Sequence, residues 1–570
     1  MNREERRRQE RQLAKAGLAS RNLHVKTLFD EGVAHHQAGR LQQAEQVYRQ
    51  ILEEDPNHAE ALHLLGLIAY RDGRYDQAID LISQAIQKDG GKSNFFFNQG
   101  LVYHRMGKLE AAEISYQRSI QIKPDYVEAH GNLGNVFRDK GNLAAAVAAY
   151  QKALQCRPNY AGGYNNLGVA LKEQGKLTQA VEAYQQALRI NPENAESHYN
   201  LGMVFMEWDQ PEEAIAAFET AIHMNPHYAK AHHNLGLALI WKQQFEAALS
   251  SFRKSAELTQ NHGRPLSPQY VYSSRVKHDA EQLQYLIRRG LVGSDVTGYG
   301  KALEELRERI SPSGQSNQQI WLSQEEAVHV APSFNRILYY ADSPALSQGA
   351  LNPHLDVEEI QNRYNAKKPE IISVDSLLTE EALRSLRQFC LASTIWKKDY
   401  ENGYVGAFLG EGFSSPLLFQ IAEELRLRFP EIFHNHRLVQ AWAFKQDNQL
   451  RPLNIHADAA AVNVNFWITE NEANLEASSG GLIVWDKEAP KDWDFKIYNG
   501  TQFKPKIYEF LKQNAAEPVR VPFRENRAVI FNSDLFHESD RCVFRDQYEC
   551  RRINVTMLYG RRSKNQVLPS

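Results

Sequence analysis

The chain has 570 residues, of which 42% are hydrophobic and 24% charged, and this length exceeds what a single hydrophobic core usually serves. We therefore expect at least two folded domains. The 66 basic and 69 acidic side chains give a net charge of -3, which excludes the overall positive field of a general nucleic-acid binder. The four cysteines lack paired spacing, so neither a disulfide framework nor a cysteine zinc site is expected.

Residues 1–24 are rich in basic side chains and lack the apolar run that a secretion signal requires. We predict a solvated basic helix or tail there, and a second short tail over residues 564–570. No later stretch is long and apolar enough to predict a membrane span. We expect a cytoplasmic protein in a reducing compartment, without nucleic-acid or membrane partners.

A 34-residue period runs through residues 25–262. In each of seven units a small residue is followed twelve positions later by an alanine, and four positions after that by a bulky residue. Small residues let two helices approach closely and the bulky side chain fills the space beside them, so we predict an all-α solenoid of helix pairs. The first of these positions is occupied by Gly32, Gly66, Gly100, Gly134, Gly168, Gly202 and Gly236.

Units such as YNNLGVALKEQGKLTQAVEAYQQALRINPEN resemble the tetratricopeptide repeat family. The resemblance implies seven repeats over residues 25–262 that stack into a superhelix with a groove for a protein partner.

An asparagine stands two residues before five successive repeat glycines. This position lies about 200° around the first helix from the glycine, so we predict that the amides line the opposite, concave face. An amide both donates and accepts, which suits the backbone of an extended polypeptide. The ladder resembles that of O-linked N-acetylglucosaminyltransferases, where such asparagines hold the protein substrate; the alternative is that each amide bonds only to a neighbouring repeat. The predicted groove residues are Asn98, Asn132, Asn166, Asn200 and Asn234.

The period stops after Leu258, and residues 263–368 are predicted to hold capping helices and a linker. VKHDAEQLQYLIRRG and YGKALEELRERI both have helical periodicity, and we expect the first to cap the solenoid. The signals between residues 311 and 368 are mixed and predict no definite element.

Residues 369–563 form the second predicted domain. Two amphipathic helices, EEALRSLRQFCLAS with Thr379 as N-cap and LLFQIAEELRLRF, come before most of the strands. The runs LVQAWAFKQ, VNVNFWIT, GLIVWD, NRAVIFN and INVTMLYG are rich in strand-forming residues. Strands without intervening helices predict an antiparallel sandwich or barrel with the helices outside one sheet.

A candidate metal site lies on these strands. His456 and Asp458 are two residues apart, so both side chains point the same way in an extended chain, and His537 follows the run NRAVIFN. Two imidazoles and one carboxylate leave positions open on Fe(II) for a keto acid and oxygen, whereas structural zinc favours a closed tetrahedral site. Arg552 opens the run RINVTMLYG, and its guanidinium suits the distant carboxylate of a keto acid.

In this order, His456-x-Asp458, SSGGLIVWD, His537 and Arg552 resemble the prolyl-hydroxylase-like branch of the 2-oxoglutarate- and Fe(II)-dependent oxygenases. The resemblance implies a double-stranded β-helix, or jelly roll. It also implies that His456, Asp458 and His537 bind iron and that Arg552 binds the C5 carboxylate of 2-oxoglutarate.

The interval from His537 to Arg552 is longer than is usual in that branch, so Arg551 is the alternative pocket residue. Strand alternation favours Arg552. Further candidates for cofactor binding lie on the same face as Arg552 or together on one face of VNVNFWIT: Thr556, Asn463, Asn465 and Trp467.

These features predict a dioxygenase that couples decarboxylation of 2-oxoglutarate to hydroxylation of a C–H bond, with the repeats recruiting a polypeptide substrate. Asp458 favours hydroxylation over halogenation, since a small residue there would open a place for halide. Two alternatives stay open: a non-catalytic repeat scaffold for protein–protein interaction, and an oxygenase acting on a small molecule or glycan. A second His-x-Asp at His354 and Asp356 is predicted to be a surface turn, because no GG-strand follows it.

Overall fold

The structure is a computed structural model, and it divides the chain into two compact units, Met1–Val204 and Phe205–Ser570. The division falls inside the repeat region, earlier than the boundary at residues 262 and 263 that the end of the 34-residue period predicts. The described residues are 21–261, 266, 269–293, 296–310, 317–366, 368–434, 436–446, 455–491, 493 and 495–560.

Fourteen helices make up the repeats within the described residues, ten of them and most of the eleventh in the first unit. They are α1 (21–37), α2 (Leu41–Glu54), α3 (Ala59–Arg71), α4 (Tyr75–Lys88), α5 (Ser93–Arg105), α6 (Leu109–Ile122), α7 (Val127–Asp139), α8 (Leu143–Cys156), α9 (Ala161–Glu173), α10 (Leu177–Ile190), α11 (Ala195–Glu207), α12 (Pro211–Met224), α13 (Ala229–Trp241) and α14 (Phe245–Leu258).

The repeat glycines lie directly against the bulky residues of the second helix. A Cβ added at Gly134 would lie 2.5 Å from the Tyr150 ring, and one at Gly168 would lie 2.5 Å from the Tyr184 ring. Both tyrosines are fully buried. The predicted helix-pair packing is therefore confirmed, and a side chain at either glycine would push the two helices apart.

The second unit adds nine helices and twelve strands among its described residues. The helices are α15 (Ser273–Arg288), α16 (Thr297–Glu308), α17 (Gln324–Val330), α18 (Val357–Ala366), α19 (Glu380–Ala392), α20 (Pro416–Arg428), α21 (Pro430–Phe433), α22 (Phe495–Asn499) and α23 (Lys504–Gln513). The strands are β1 (Tyr270–Tyr272), β2 (Gln319–Trp321), β3 (Ile371–Val374), β4 (Lys398–Asp399), β5 (Tyr404–Phe408), β6 (Leu438–Gln446), β7 (Val462–Trp467), β8 (Leu482–Glu488), β9 (Pro518–Val521), β10 (Ala528–Asn532), β11 (Leu535–Ser539) and β12 (Ile553–Tyr559).

Two antiparallel sheets form the core of the C-terminal region, as the strand pattern predicts. One has seven strands in the order β3-β10-β7-β12-β6-β5-β4, and the other has three in the order β11-β8-β9. Buried side chains from both sheets meet in one apolar cluster that includes Trp467 and Phe531 from the larger sheet and Leu482 and Val484 from the smaller. The two sheets therefore pack face to face.

The last repeat packs on the C-terminal helices and strands. The Phe252 ring of α14 lies 5.6 Å from the Phe419 ring of α20, and Trp241 Nε1 donates to the Leu438 carbonyl at 2.9 Å. A Cβ at Gly410 would lie 2.1 Å from His233 Nδ1, so only glycine fits there without moving the imidazole. Burial lowers the pKa of His233 to about 4, which leaves it neutral in this contact.

Helix α15, predicted to cap the repeats, instead contacts β5 and α19 and packs on α16. Its Glu281 forms an ion pair with Arg551, at 2.6 Å between Oε2 and the guanidinium nitrogen. Residues of α15, α16 and α17 and of strands β1 and β2 form an apolar cluster of their own in the second unit. Within the described residues, no helix has both the length and the apolar character that crossing a bilayer demands.

Candidate metal centre

The structure brings together the three predicted ligands. His456 and His537 form an antiparallel bridge, in which each main-chain N–H donates to the other residue's carbonyl, at 3.0 and 2.8 Å. The Asp458 carboxylate lies 3.9 Å from His456 Nε2 and 3.4 Å from His537 Nε2. One ligand atom from each residue lies within 4.8 Å of the other two, a grouping found at no other place in the described part of the chain.

Neighbouring groups fix the orientation and charge of these side chains. His537 Nδ1 lies 3.1 Å from the Leu535 carbonyl, which can accept a hydrogen bond from this nitrogen and leave Nε2 directed to the cluster. Burial by itself would raise the pKa of Asp458, but His537, His456 and a hydrogen bond from Asn463 hold this pKa below its ordinary value. The buried carboxylate is therefore ionised, as a metal ligand must be.

A chain of buried polar side chains ends on Asp458. Thr556 Oγ1 donates to Asn465 Oδ1 at 2.7 Å, Asn465 donates to Asn463 Oδ1, and Asn463 Nδ2 donates to Asp458 Oδ2 at 2.7 Å. Asn554 Nδ2 also donates to Asn465 Oδ1, at 2.8 Å. The two asparagines that the sequence predicts to face a polar cavity thus lie behind a candidate ligand and orient it.

Arg552 lies beside this chain and is 1% exposed. It donates to the Gly481 carbonyl at 3.0 Å, whereas its contacts with Gln446 Oε1 and Ser539 Oγ are 3.4 and 3.5 Å long. Burial lowers the pKa of Arg552, and the described residues provide no carboxylate within salt-bridge distance of the guanidinium. Its Nε has no hydrogen-bond partner among them.

Arg551 faces the other side of the strand, where it pairs with Glu281. The alternation argument therefore places the two arginines correctly on opposite faces. Trp467 packs below Arg552, with its ring centroid 5.7 Å from the guanidinium carbon, and contributes to the core between the sheets. It supports the arginine and does not line the cavity over the cluster.

The backbone before β8 requires glycine at both Gly480 and Gly481. Gly480 has a φ of +79°, which favours glycine, and a Cβ at Gly481 would lie 1.8 Å from the Val521 carbonyl oxygen of β9. Only glycine lets the two strands approach this closely. The carbonyl of Gly481 is thereby held where Arg552 donates to it.

A cavity of about 20 Å³ lies over the cluster, which is room for one water molecule. Asn465, Asn554 and Thr556 line it, as do four residues that the sequence analysis missed: Trp442, Phe444, Leu482 and Ser539. Alternation along β6 places Trp442 and Phe444 on one face, but the sequence does not show which sheet that face meets.

The second His-x-Asp motif, His354 and Asp356, lies away from the cluster. Asp356 Oδ1 accepts a hydrogen bond from the Glu359 N–H at 2.9 Å, at the start of α18.

The predicted groove asparagines occupy two kinds of environment. Asn98 Nδ2 donates to His63 Nε2 at 2.8 Å, and Asn200 Nδ2 donates to Asn165 Oδ1 at 3.0 Å, in each case 35 residues back in the preceding repeat. These two bonds join neighbouring repeats, as expected if the amides bond to the adjacent repeat and not to a ligand. For Asn132 and Asn166 the equivalent residues are Phe97 and Gly131, whose side chains offer no polar atom, and both amides are partly exposed. Asn234 belongs to the second unit and donates to the Lys230 carbonyl at 3.0 Å.

Comparison with known proteins identifies the helical region. Family models described as TPR repeat or tetratricopeptide repeat match residues 29–93, 100–207, 195–228 and 229–262. Residues from about 29 to 262 are tetratricopeptide repeats. No curated protein matches the chain at a significant level.

Several solved structures resemble the repeat region of this chain. MamA is 27% identical, over 28% of this chain and 93% of that chain, with a TM-score of 0.26. YrrB, described as a TPR protein with an unusual peptide-binding site, is 22% identical, over 31% and 92% of the two chains, with a TM-score of 0.27. A tetratricopeptide repeat protein from Parabacteroides merdae ATCC 43184 is 17% identical, over 42% and 94%, with a TM-score of 0.36.

Proposed function

We propose that the C-terminal region is a 2-oxoglutarate- and Fe(II)-dependent dioxygenase that hydroxylates a polypeptide side chain, with the tetratricopeptide repeats recruiting the substrate. The observation that carries the proposal is the buried Arg552, which forms no salt bridge among the described residues and contacts Ser539, a residue that lines the cavity over the His456, Asp458 and His537 cluster. A buried cation that is not directly paired with a carboxylate is costly, and the Asp540 carboxylate acts on Arg552 only at longer range, so the site favours an anionic ligand.

The donor set fits Fe(II), because two imidazoles and one carboxylate leave coordination positions for other ligands. His456, Asp458 and His537 would hold the ion, which when bound supplies the oxygen chemistry of the reaction. The protein's own contribution is to orient these ligands. Asn463 donates to one oxygen of Asp458 and leaves the other oxygen for the metal.

Arg552 would bind the distant carboxylate of the keto acid through its guanidinium fork. The cavity in its present form has room for one water molecule, so side chains around it must move to admit 2-oxoglutarate. Gln446 and Ser539 contact the guanidinium at 3.4 and 3.5 Å, and these long contacts are the ones that a carboxylate would replace.

The overall reaction that these residues support converts 2-oxoglutarate and O₂ to succinate and CO₂, with one oxygen atom entering a C–H bond of the substrate. The two facing antiparallel sheets are compatible with the double-stranded β-helix that this chemistry commonly uses. Fold by itself does not establish activity, so the proposal depends on the cluster and the arginine.

A non-catalytic scaffold is the second candidate function. The family matches support it directly, since tetratricopeptide repeats bind protein partners or peptides and the matches lie within residues 29–262. An oxygenase that acts on a small molecule or glycan is the third, and the metal cluster favours it as much as it favours a peptide hydroxylase.

The test is an anaerobic Fe(II) and 2-oxoglutarate titration, followed by addition of oxygen and measurement of succinate. We expect His456→Ala and His537→Ala to abolish metal binding and succinate formation. Arg552→Ala should raise the apparent constant for 2-oxoglutarate at least tenfold, by analogy with the 2–5 kcal/mol cost of breaking a buried charge pair. Parental turnover by the double histidine variant, or absence of succinate from the metal-loaded parent, would favour the scaffold.

A further inference from the structure

A second and larger cavity, of about 310 Å³, lies between the last repeat and the seven-stranded sheet. All of its lining residues belong to the second compact unit. Helix α13 contributes Lys230, His233 and Asn234, and the other wall includes Tyr400, Phe408 and Gln440. The His233 contact with Gly410 closes this wall, because no side chain fits between them.

Aromatic rings connect the lining of this cavity to the lining of the one over the metal cluster. Phe408 of β5 is paired in register with Trp442 of β6, and their ring centroids lie 6.1 Å apart. Trp442 lines the cavity over the cluster and is itself paired with Thr556 of β12. The two cavities therefore share one face of the sheet.

The shared face carries aromatic rings along β6 and β5, and we call this surface the floor. Gln440, Trp442 and Phe444 alternate along the strand and span about 13 Å. A Cβ at Gly406 would lie 3.0 to 3.2 Å from the rings of Phe444, Phe408 and Tyr400, so glycine at this position lets the three rings converge. Trp442, Phe444 and Phe408 are all only partly buried, which leaves the floor open to a ligand.

We propose that an extended segment of the polypeptide substrate lies along this floor, from the last repeat to the His456, Asp458 and His537 cluster. This inference rests on the proposed function and adds where and how the substrate binds. The floor is as long as about four extended residues, whereas a single amino acid or sugar would cover only one end of it. Aromatic rings provide contact area that tolerates many apolar side chains. Lys230 is exposed at the repeat end and favours an acidic residue in the segment there, because the other two charged lining residues, Lys398 and Glu411, pair with each other at 3.2 Å.

The experiment uses the whole chain loaded with Mn(II), which does not support turnover, and a library of synthetic 12-residue peptides with varied acidic and aromatic content. Peptide binding is followed by fluorescence anisotropy, and single amino acids and monosaccharides are tested as competitors. Phe408→Ala should weaken binding of the best peptide at least tenfold, and Lys230→Glu should remove the preference for an acidic residue.

Trp321→Ala and Lys301→Glu are matched controls, because both side chains are exposed, at 60% and 80%, and neither lines the cavity. We expect them to keep peptide affinity within twofold of the parent. All four variants should retain parental Mn(II) affinity, and thermal unfolding checks that Phe408→Ala is folded. If that variant unfolds, Lys230→Glu decides the question, since its side chain is at the surface.

Equal peptide affinity in the parent, Phe408→Ala and Lys230→Glu would overturn the inference. Binding of monosaccharides or single amino acids in place of any peptide would overturn it as well and would favour the small-molecule oxygenase. Failure of the parent to bind Mn(II) would contradict the metal site itself. Peptide binding is therefore measured a second time on metal-free protein, which lets the two failures be told apart.

Discussion

Asn463 offers the sharpest test of how the chain holds its candidate metal ligands. Its side chain is fully buried, donates to Asp458 Oδ2 at 2.7 Å and accepts a hydrogen bond from Asn465. Replacing it by alanine removes the donor that orients the carboxylate and leaves the Asn465 amide without its acceptor. The first change should lower metal affinity, and the second should lower the free energy of unfolding.

The first quantity is metal affinity. A hydrogen bond to a charged group contributes about 1.5–3 kcal/mol, which corresponds to roughly a 10- to 100-fold loss, the range observed when such supporting residues are removed. The second quantity is the free energy of unfolding. An unsatisfied buried amide costs about 1–3 kcal/mol, so Asn463→Ala should also lower stability while remaining folded.

Calorimetric titration with Mn(II) measures the first effect, and denaturant unfolding of the metal-free protein measures the second. Asn526→Ala is the control for metal affinity alone, because this amide bonds to the main chain of Leu378 and is not part of the chain that ends on Asp458. Its φ of +58° would strain an alanine, so the stability of this variant is not compared. In an Asp458→Ala background, removing Asn463 should have no further effect on metal affinity. A folded Asn463→Ala variant that binds Mn(II) as tightly as the parent would refute the reasoning.

Three further predictions concern stability. Arg551→Ala breaks the buried ion pair with Glu281 and should cost about 3–5 kcal/mol in denaturant unfolding, with little change in the constant for 2-oxoglutarate. Burial lowers the pKa of His278 to about 3, so the unfolded chain takes up this proton first and stability should fall as pH drops from about 6.5 towards 3. Melting temperatures of the His278→Asn variant should show a flatter acid limb. Asn200→Ala should destabilise the repeats by about 0.5–1.5 kcal/mol, because Asn165 loses one donor and keeps Ser197 as the other. Asn132→Ala removes a longer, 3.3 Å bond from Asn135 and should lower the melting temperature less.

Short-range patterns predicted the repeats, the antiparallel sheets and the faces of the two arginines, because each depends on a fixed period along the chain. The glycine against Tyr150 recurs every 34 residues, and Arg551 and Arg552 differ by one position in a strand. The role of Asn463 was less accessible: its alternation indicates a polar surrounding, but its contact with Asp458, five residues earlier, depends on the bend between them.

Contacts between distant elements account for what the sequence did not reveal. Helix α15 has the periodicity of a capping helix, but the charge of Glu281 is satisfied by Arg551, 270 residues later, so the helix lies on the sheets. The bond of Asn200 depends on the offset between neighbouring repeats and on a polar residue at 165. Neither relation has a local signature.

The contact of the last repeat with α20 has a practical consequence for dividing the protein. A fragment that begins at residue 263, where the repeat period has ended, would lack α13 and α14 and expose Phe419, whose ring faces those of Phe245 and Phe252. It would also leave Leu438 without the indole that donates to its carbonyl. We expect such a fragment to aggregate. A fragment that begins near residue 205 keeps these surfaces covered, and we expect it to be recovered in the soluble fraction on expression.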